Sequence, residues 1–549
     1  MKSIIFSLLY VGSLLTMVSG QVSQEWATRL NGPINEDDYA YAIAVDSSGN
    51  VYVTGACSVN QTFAPYDMVT VKYSPQGETL WVRYYASPDN FNDQGNAVAV
   101  DQDGYVYVAG QTVNSATVTD WVVIKYSPAG DSLWVKKYDG GGTMDDWPTA
   151  MAISDSGYIY VTGMSVKTIS TTNRDYTTIK YTPNGDTLWV RRYEGPVAWI
   201  DEALSIAVAK NGKVAITGSS SGTGYIDDYA TVLYNPDGSQ AWVARYNGPA
   251  NGTDGASAVG FDDSNNVYVT GGSAGSGTSY DIATLKYSPA GTQLWAKRYN
   301  GAANLSDWGM DLKVGPGRKI FVAGRVSLSA ANADFVTIKY NSNGDTAWTR
   351  KHNGGANSSD QAEALAVDQD TNVYVTGMSY NSGPDMDYTT IKYDPAGNTD
   401  WIIHYDSSTG TSDYPMAMTL DSSGNVYVTG YSYAIGTGSD YATVKYAQCS
   451  AIPGDANASG SITLGDIIHV VNYIFDKDKL PCLGTDPGNC WTPGPFCQGD
   501  VNQTGTITIG DIVHLVNYIF DKDRLPCLGS DPGNCWTPEA SGACCLAVP

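Results

Sequence analysis

The sequence predicts a mainly β protein: an eight-bladed β-propeller closed by its own N-terminal strand, followed by a small α-helical module. Three observations predict it. Tryptophan recurs at Trp26, Trp81, Trp134, Trp189, Trp242, Trp295, Trp348 and Trp401, in steps of 53 or 55 residues. A β-patterned segment ends at Tyr73, Tyr126, Tyr181, Tyr234, Tyr287, Tyr340, Tyr393 and Tyr446, eight times in the same rhythm. After Tyr446 the period changes to 45 and cysteines become frequent. A fixed long period marks a repeated supersecondary unit.

Residues 1–20 read as a secretory signal peptide: Lys2, an apolar run from Ile4 to Val18, then small Ser19 and Gly20 before Gln21. That run is too short for a spanning helix, and no later stretch approaches the roughly 20 apolar residues a span needs. The mature chain is expected to be secreted or extracellular, or attached to a cell surface, without membrane insertion. Lys and Arg total 31 against 56 Asp and Glu, a net charge of −25. This argues against nucleic acid and anionic membranes, which need a basic footprint. Cations, neutral sugars and proteins remain. Only 4 His are present, so little material exists for His-based catalysis or transition-metal sites.

Residues 21–448 form the propeller. One unit shows the pattern: "ALAVD" (Ala364–Asp368), "VYVTG" (Val373–Gly377), "YTTIKY" (Tyr388–Tyr393) and "DWIIHY" (Asp400–Tyr405). Alternating β-branched and aromatic residues between turn residues make these strands. Two connections are tight Gly- or Pro-bearing turns and two are long and variable. Four antiparallel strands per unit suit a propeller blade better than a stacked solenoid. The first tryptophan strand precedes any inner strand, and the last unit lacks one. The N-terminal strand is therefore expected to complete the last blade. The strings "AVDSSGNVYVTG" (44–55) and "DYTTIKYTPNGDTLWV" (175–190) resemble the SBBP-type β-propeller repeat of exported microbial proteins. That resemblance implies the fold and little about function, since propellers host many activities.

Each unit carries two aspartates. The first set is Asp38, Asp93, Asp146, Asp201, Asp254, Asp307, Asp360 and Asp413. It is expected to circle the channel mouth on the long-loop face. Each carboxylate there either fixes a loop by accepting backbone N–H groups, the favoured reading, or joins its neighbours in drawing a cation. The second set opens the third strand: Asp67, Asp120, Asp175, Asp228, Asp281, Asp334, Asp387 and Asp440. Residues that follow the first set do not repeat. Tyr39, Trp147, Trp308 and Tyr414 stand among them, with Trp121 and Trp199 nearby. Non-repeating rings in a repeated loop form a candidate ligand-binding face, suited to a neutral sugar. Packing against the next blade is the more ordinary use of such a ring. Glu202 and Glu363 break the pattern too, and His352 and His404 fall on outer strands, none with a triad-like neighbour in sequence.

Residues 449–549 form the second module. "GDANASGSITLGD" and "GDVNQTGTITIGD" have calcium-loop spacing. Asp455, Asn457, Ser459, Ser461 and Asp466 fall at positions 1, 3, 5, 7 and 12, as do Asp500, Asn502, Thr504, Thr506 and Asp511. Alternating oxygen ligands wrap a hard cation, so calcium is the expected cofactor. Ile467, Val470, Val471 and Ile474, echoed by Ile512, Leu515, Val516 and Ile519, give each following helix one apolar face. Cys482 with Cys490, and Cys527 with Cys535, recur at one spacing and read as local disulfides in an exported chain. Zinc is the alternative, without a supporting His. The pairing of Cys449, Cys497, Cys544 and Cys545 stays open, and Cys57 reads as a buried free thiol. The doublet resembles a type I dockerin, which implies a cohesin-like partner on an extracellular assembly. Ser or Thr at position 5 and Asp at position 12 depart from the family and should weaken calcium binding. Leu464–Gly465 and Ile509–Gly510 replace the family's usual contact pair.

The favoured function is a non-catalytic exported binding or structural protein. Its propeller face recognises a ligand or protein, and its C-terminal module attaches it. The alternatives are a polysaccharide-acting enzyme and a surface-layer or filament subunit.

Overall fold

Among the described residues, thirty-two strands form eight four-stranded sheets. In this computed structural model the described residues are 22–448, apart from loop segments 60–65, 89–90, 114–117, 142–144, 167–172, 356–357, 382–384 and 408–409. Blade 1 is typical, with antiparallel strands Asp38–Val45, Val51–Ser58, Tyr66–Tyr73 and Thr79–Tyr85 paired in that order. Blades 2 to 7 follow at 93–138, 147–193, 201–246, 254–299, 308–352 and 361–405. Blade 8 comprises Asp413–Leu420, Val426–Ala434 and Gly438–Gln448, and its outermost strand is Val22–Leu30 from the other end of the chain. The first strands of blades 1 and 8 touch, so the ring closes as the split unit predicts. The N-terminal strand is held by the Arg29–Asp440 ion pair at 2.8 Å and by Lys445–Glu25 at 2.5 Å.

Burial is radial. The second and third strands are apolar on both faces because each lies between two neighbouring blades, as "VYVTGACS" shows with every residue buried. Outermost strands alternate, with Leu80, Leu133 and Leu188 half exposed. Neighbouring blades are sewn together on the short-turn face. Trp189 Nε1 and Lys180 Nζ both donate to Pro236 O of the next blade, at 3.2 and 2.9 Å. Trp81 and Lys72 do the same to Pro128, and Trp348 and Lys339 to Pro395. The turn glycine there has positive φ, and a Cβ on Gly238 would stand 2.8 Å from the Trp189 ring. Trp401 Nε1 has no such partner among the described residues, because blade 8 ends without that turn.

Every first strand carries a bulge, at Ala40/Ala42 in blade 1 and Ala203/Ser205 in blade 4. It presses the carbonyl of the residue after the first aspartate onto the second strand. A Cβ at Gly55 would overlap Tyr39 O, and one at Gly377 would overlap Gln361 O. This explains the glycine in "VYVTG": only a residue without a side chain lets the bulge re-aim the inner strand.

The expected second module needs correction. The described residues contain no α-helix, only a 3-10 turn at Pro316–Arg318, and no disulfide. The disulfides expected of Cys482, Cys490, Cys527 and Cys535 are not among what the structure describes. These four cysteines fall in residues 449–549, which, with the whole dockerin-like doublet, lie outside the described residues, as does segment 1–20. Cys57, the one cysteine described as free, is buried as expected. What the structure supports is the mainly β eight-bladed propeller, with Ser23–Ala447 as one compact unit.

Candidate functional site

The first aspartate set sits at the loop-face end of the inner strands, and it is not an open ring of carboxylates. All eight side chains are at most 1% exposed. Six of them accept two backbone N–H groups, from the residue six before and the residue twenty after. Asp254 takes Gly248 N at 2.6 Å and Ala274 N at 2.8 Å. Asp38, Asp146, Asp201, Asp307 and Asp360 repeat this. Asp93 accepts from Ser87 N, and Asp413 from Ser407 N and Oγ. These are latches that tie a blade's entry loop to its own second strand. Burial pushes Asp38, Asp201 and Asp254 above the usual carboxylate range, and their hydrogen bonds work against that shift.

The second set lies two strands outward in the same row: Asp201 pairs with Ser220, and Ser220 with Asp228. Seventeen residues on, the outermost strand supplies a countercharge. Arg245 reaches Asp228 at 2.9 Å and also Ser220 Oγ and Tyr193 OH; Arg298 reaches Asp281 at 2.8 Å. Arg192 lies 3.8 Å from Asp175. In blades 1 and 7 that position holds Tyr84 and His404. There burial pushes Asp67 and Asp387 up to about 6, with Asp93 adding repulsion at the first and Asp406, Asp385 and Asp413 at the second. Burial also pushes the His404 imidazole down, and its Nδ1 meets Thr389 Oγ1 at 2.9 Å. Among the described residues, two groups of three carboxylates converge within 4.8 Å: Asp120, Asp139 and Asp146, and Asp385, Asp387 and Asp406. Oxygen-only sets of this kind could coordinate a divalent cation such as calcium. The ligands expected for calcium from the loop spacing, Asp455, Asn457, Ser459, Ser461, Asp466, Asp500, Asn502, Thr504, Thr506 and Asp511, lie outside the described residues.

The aromatic side chains divide. Trp121 is a correction: it is fully buried in the core and packs on Tyr138 at 5.5 Å, so it belongs to no binding face. Tyr39, Trp147, Trp308 and Tyr414 occupy the position after the latch aspartate and are half-buried. Where blades 8 and 1 meet, Tyr39 stands edge-on to Tyr431 at 4.9 Å, and Tyr431 stacks on Tyr414 at 4.9 Å. Tyr41 and Tyr66 extend the cluster, 6.3 and 6.0 Å from Tyr39. Burial and neighbouring phenols push Tyr41 up to about 12. Trp147 is capped by the Arg174 guanidinium at 4.6 Å, which also stands 3.9 Å from Glu202. Trp308 donates Nε1 to Ser257 Oγ at 2.9 Å and leans on Tyr280. It needs Gly272, where a Cβ would overlap the ring. Trp199 packs on Tyr225, which is 63% exposed. Between Trp308 and Tyr414, Gln361 Nε2 donates to Glu363 Oε1 at 2.6 Å. Sequence reasoning missed Tyr41, Tyr66, Tyr431 and Tyr280. The two-residue step along the inner strand would have found Tyr41.

Four stretches of the chain, 25–56, 80–114, 348–384 and 405–436, match the SBBP family, described as a beta-propeller repeat. Over 113 residues the chain is 32% identical to the regulatory protein FlaEY of Caulobacter vibrioides, covering 18% of this chain and 11% of that protein. Over 484 residues it is 23% identical to an uncharacterized WD repeat-containing protein of Acanthamoeba polyphaga mimivirus, covering 72% of this chain and 33% of that one. The chain thus spans between a tenth and a third of the length of these curated relatives. Among solved structures, the extracellular domains 1–2 of Drosophila Semaphorin 1b are 10% identical, with 79% of this chain and 88% of that chain covered and a TM-score of 0.38. A protein of unknown function from Dyadobacter fermentans is 11% identical, with 78% and 99% covered and a TM-score of 0.37. Such likeness carries no argument about function. No helix among the described residues is long and apolar enough to cross a membrane.

Proposed function

We propose that this chain is an exported, non-catalytic binding protein whose loop-face mouth recognises a saccharide. One observation supports this reading above the others. At one position of an eightfold repeat, Tyr39, Trp147, Trp308 and Tyr414 keep exposed ring surface, while the equivalents elsewhere are Gln94, Glu202, Gly255 and Gln361. Pyranose rings present apolar C–H faces and hydroxyl edges. Flat aromatic surfaces interleaved with amide and carboxyl groups complement both. The net charge of −25 speaks against a nucleic acid in the same place. The two glutamates at the mouth are engaged, Glu202 with Arg174 and Glu363 with Gln361, which favours recognition over acid–base chemistry.

Affinity electrophoresis and calorimetry on a panel of soluble neutral and acidic polysaccharides test the reading. At least one should bind. Trp147→Ala or Trp308→Ala should weaken it about tenfold, the loss of about 1.4 kcal/mol. Tyr105→Ala on the short-turn face should change nothing. No binding across the panel, or binding indifferent to both tryptophans, would overturn it.

A further inference from the structure

We infer that a pocket between blades 6 and 7, beside the mouth, takes an oxyanion carried by the saccharide, with Arg325 as its anion-binding residue. This rests on the saccharide reading above and narrows it to acidic sugars. The cavity has a volume of about 180 Å³ and opens on the loop face. Arg325, Ser306, Ser327, Ser329, Asn332 and Ser359 line it. Its polar wall is mixed: the guanidinium and the Ser329 hydroxyl can donate, whereas Ser327 Oγ already donates to Ser306 O and Asn332 Oδ1 is a buried acceptor without a partner among the described residues.

Arg325 differs from the other described arginines. Six of those meet a carboxylate: Arg29, Arg174, Arg192, Arg245, Arg298 and Arg318. Three donate to a turn carbonyl of the next blade: Arg83 to Gly130, Arg191 to Gly238 and Arg350 to Gly397. Arg325 has neither. Among the described residues its one hydrogen bond is a long one, Nη1 to Gln361 Oε1 at 3.4 Å, and the Glu363 carboxylate, which feels its charge, stands beyond ion-pair distance. Gln361 is oriented for that role because its Nε2 is committed to Glu363. A guanidinium fork with donors to spare binds a planar or tetrahedral oxyanion in bidentate fashion.

The position itself is a departure from the repeat. Arg325 pairs in register with Trp308, where other blades place Ala56, Met164, Gly272 or Met378. The two side chains start from paired backbone positions and diverge: the Trp308 ring leans on Ser257 and Gly272 of blade 5, and the guanidinium reaches Gln361 of blade 7. The anion can be the carboxylate of a uronic acid or the sulfate of a sulfated sugar. Both offer the oxygens this donor set accepts.

The test uses the full chain and two matched pairs of probes. One is a galacturonic acid hexasaccharide with its methyl ester; the other is a sulfated galactan oligosaccharide with its desulfated form. In at least one pair the anionic member should bind about ten or more times tighter than its neutral partner, and that pair identifies the anion. Arg325→Gln should abolish the preference and leave affinity for the neutral partner unchanged. Glutamine is what blade 2 carries here, as Gln111, so folding should be preserved, and an unchanged melting temperature checks it. Arg325→Lys, which keeps the charge without the fork, should retain only part of the preference. An anion preference that survives Arg325→Gln overturns the inference. Equal binding of anionic and neutral members also overturns it, while leaving the saccharide reading standing. Failure of all four probes when the neutral panel binds has that same meaning. Failure of every probe and every panel member overturns both.

Discussion

The two faces of the ring are built from the same repeat and use it in opposite ways. On the short-turn face nearly everything recurs. Asp46, Asp262, Asp368 and Asp421 each hold their turn and the following tyrosine hydroxyl, as in Tyr52 OH to Asp46 at 2.9 Å. The tryptophan and lysine of one blade share a carbonyl of the next. On the loop face the two aspartate sets recur, and most of them are buried. What reaches solvent beside them differs from blade to blade. Repetition marks what closes the ring; departure from repetition marks what the ring presents. A carboxylate found in every blade is therefore a poor candidate for a ligand site, and a lone Trp308 or Arg325 is a better one.

Breaking the turn face should cost the most stability. Trp189 is 7% exposed and packs in the interface of blades 3 and 4, so Trp189→Ala should destabilise by about 3–5 kcal/mol in thermal or urea unfolding. Next comes a loop-face latch. Asp254→Ala strands Gly248 N, a buried donor, and Ala274 N, a part-buried one, at a cost of about 2–3 kcal/mol. Its effect should appear as faster amide exchange in the entry loop of blade 5 before global unfolding.

A pH measurement sharpens the comparison within the loop face. Asp67 has Tyr84 where blades 4 and 5 have arginine, and its carboxyl is pushed up to about 6. A folded pKa above the unfolded value means the native state holds the proton more tightly. The contribution is full below about pH 4 and is lost as pH rises through about 6. Asp67→Asn should therefore raise the melting temperature at about pH 7 and leave it unchanged near pH 4. Asp228→Asn, in a blade with Arg245, should lower it near neutral pH. The smallest stability effect belongs to Trp147→Ala, whose ring is partly exposed: under about 1 kcal/mol, with binding weakened instead.

Blade number, strand order and closure by the N-terminal strand are legible in the sequence because they rest on periodicity: alternation within strands and a constant step between tryptophans. The latch role of Asp201 is legible only as one of two readings, since spacing places the carboxylate at the loop end without showing whether a loop covers it. Trp121 looks like a face residue only while it is taken alone. Its equivalents Tyr176, Tyr229, Tyr388 and Tyr441 fill the same third-strand site, and all are buried. Comparing columns of the repeat places it in the core. The spacing of 17 from Asp228 to Arg245 and from Asp281 to Arg298 is also in the sequence, but the partner there is a countercharge and forms no motif. Arg325 shows in the sequence only as a departure in its column of the repeat, beside Ala56, Met164, Gly272 and Met378; that it meets no turn carbonyl and no ion-pair partner among the described residues is revealed by packing.

The most direct test of the central claim is a hydrogen-exchange footprint of the full chain with and without the tightest-binding polysaccharide. Protection should fall on the loop-face ends of the inner strands, at 38–42, 146–150, 307–311 and 413–417, and spare the turns at 46–50 and 182–186. Protection centred on those turns or on the outer tryptophan strands would contradict it.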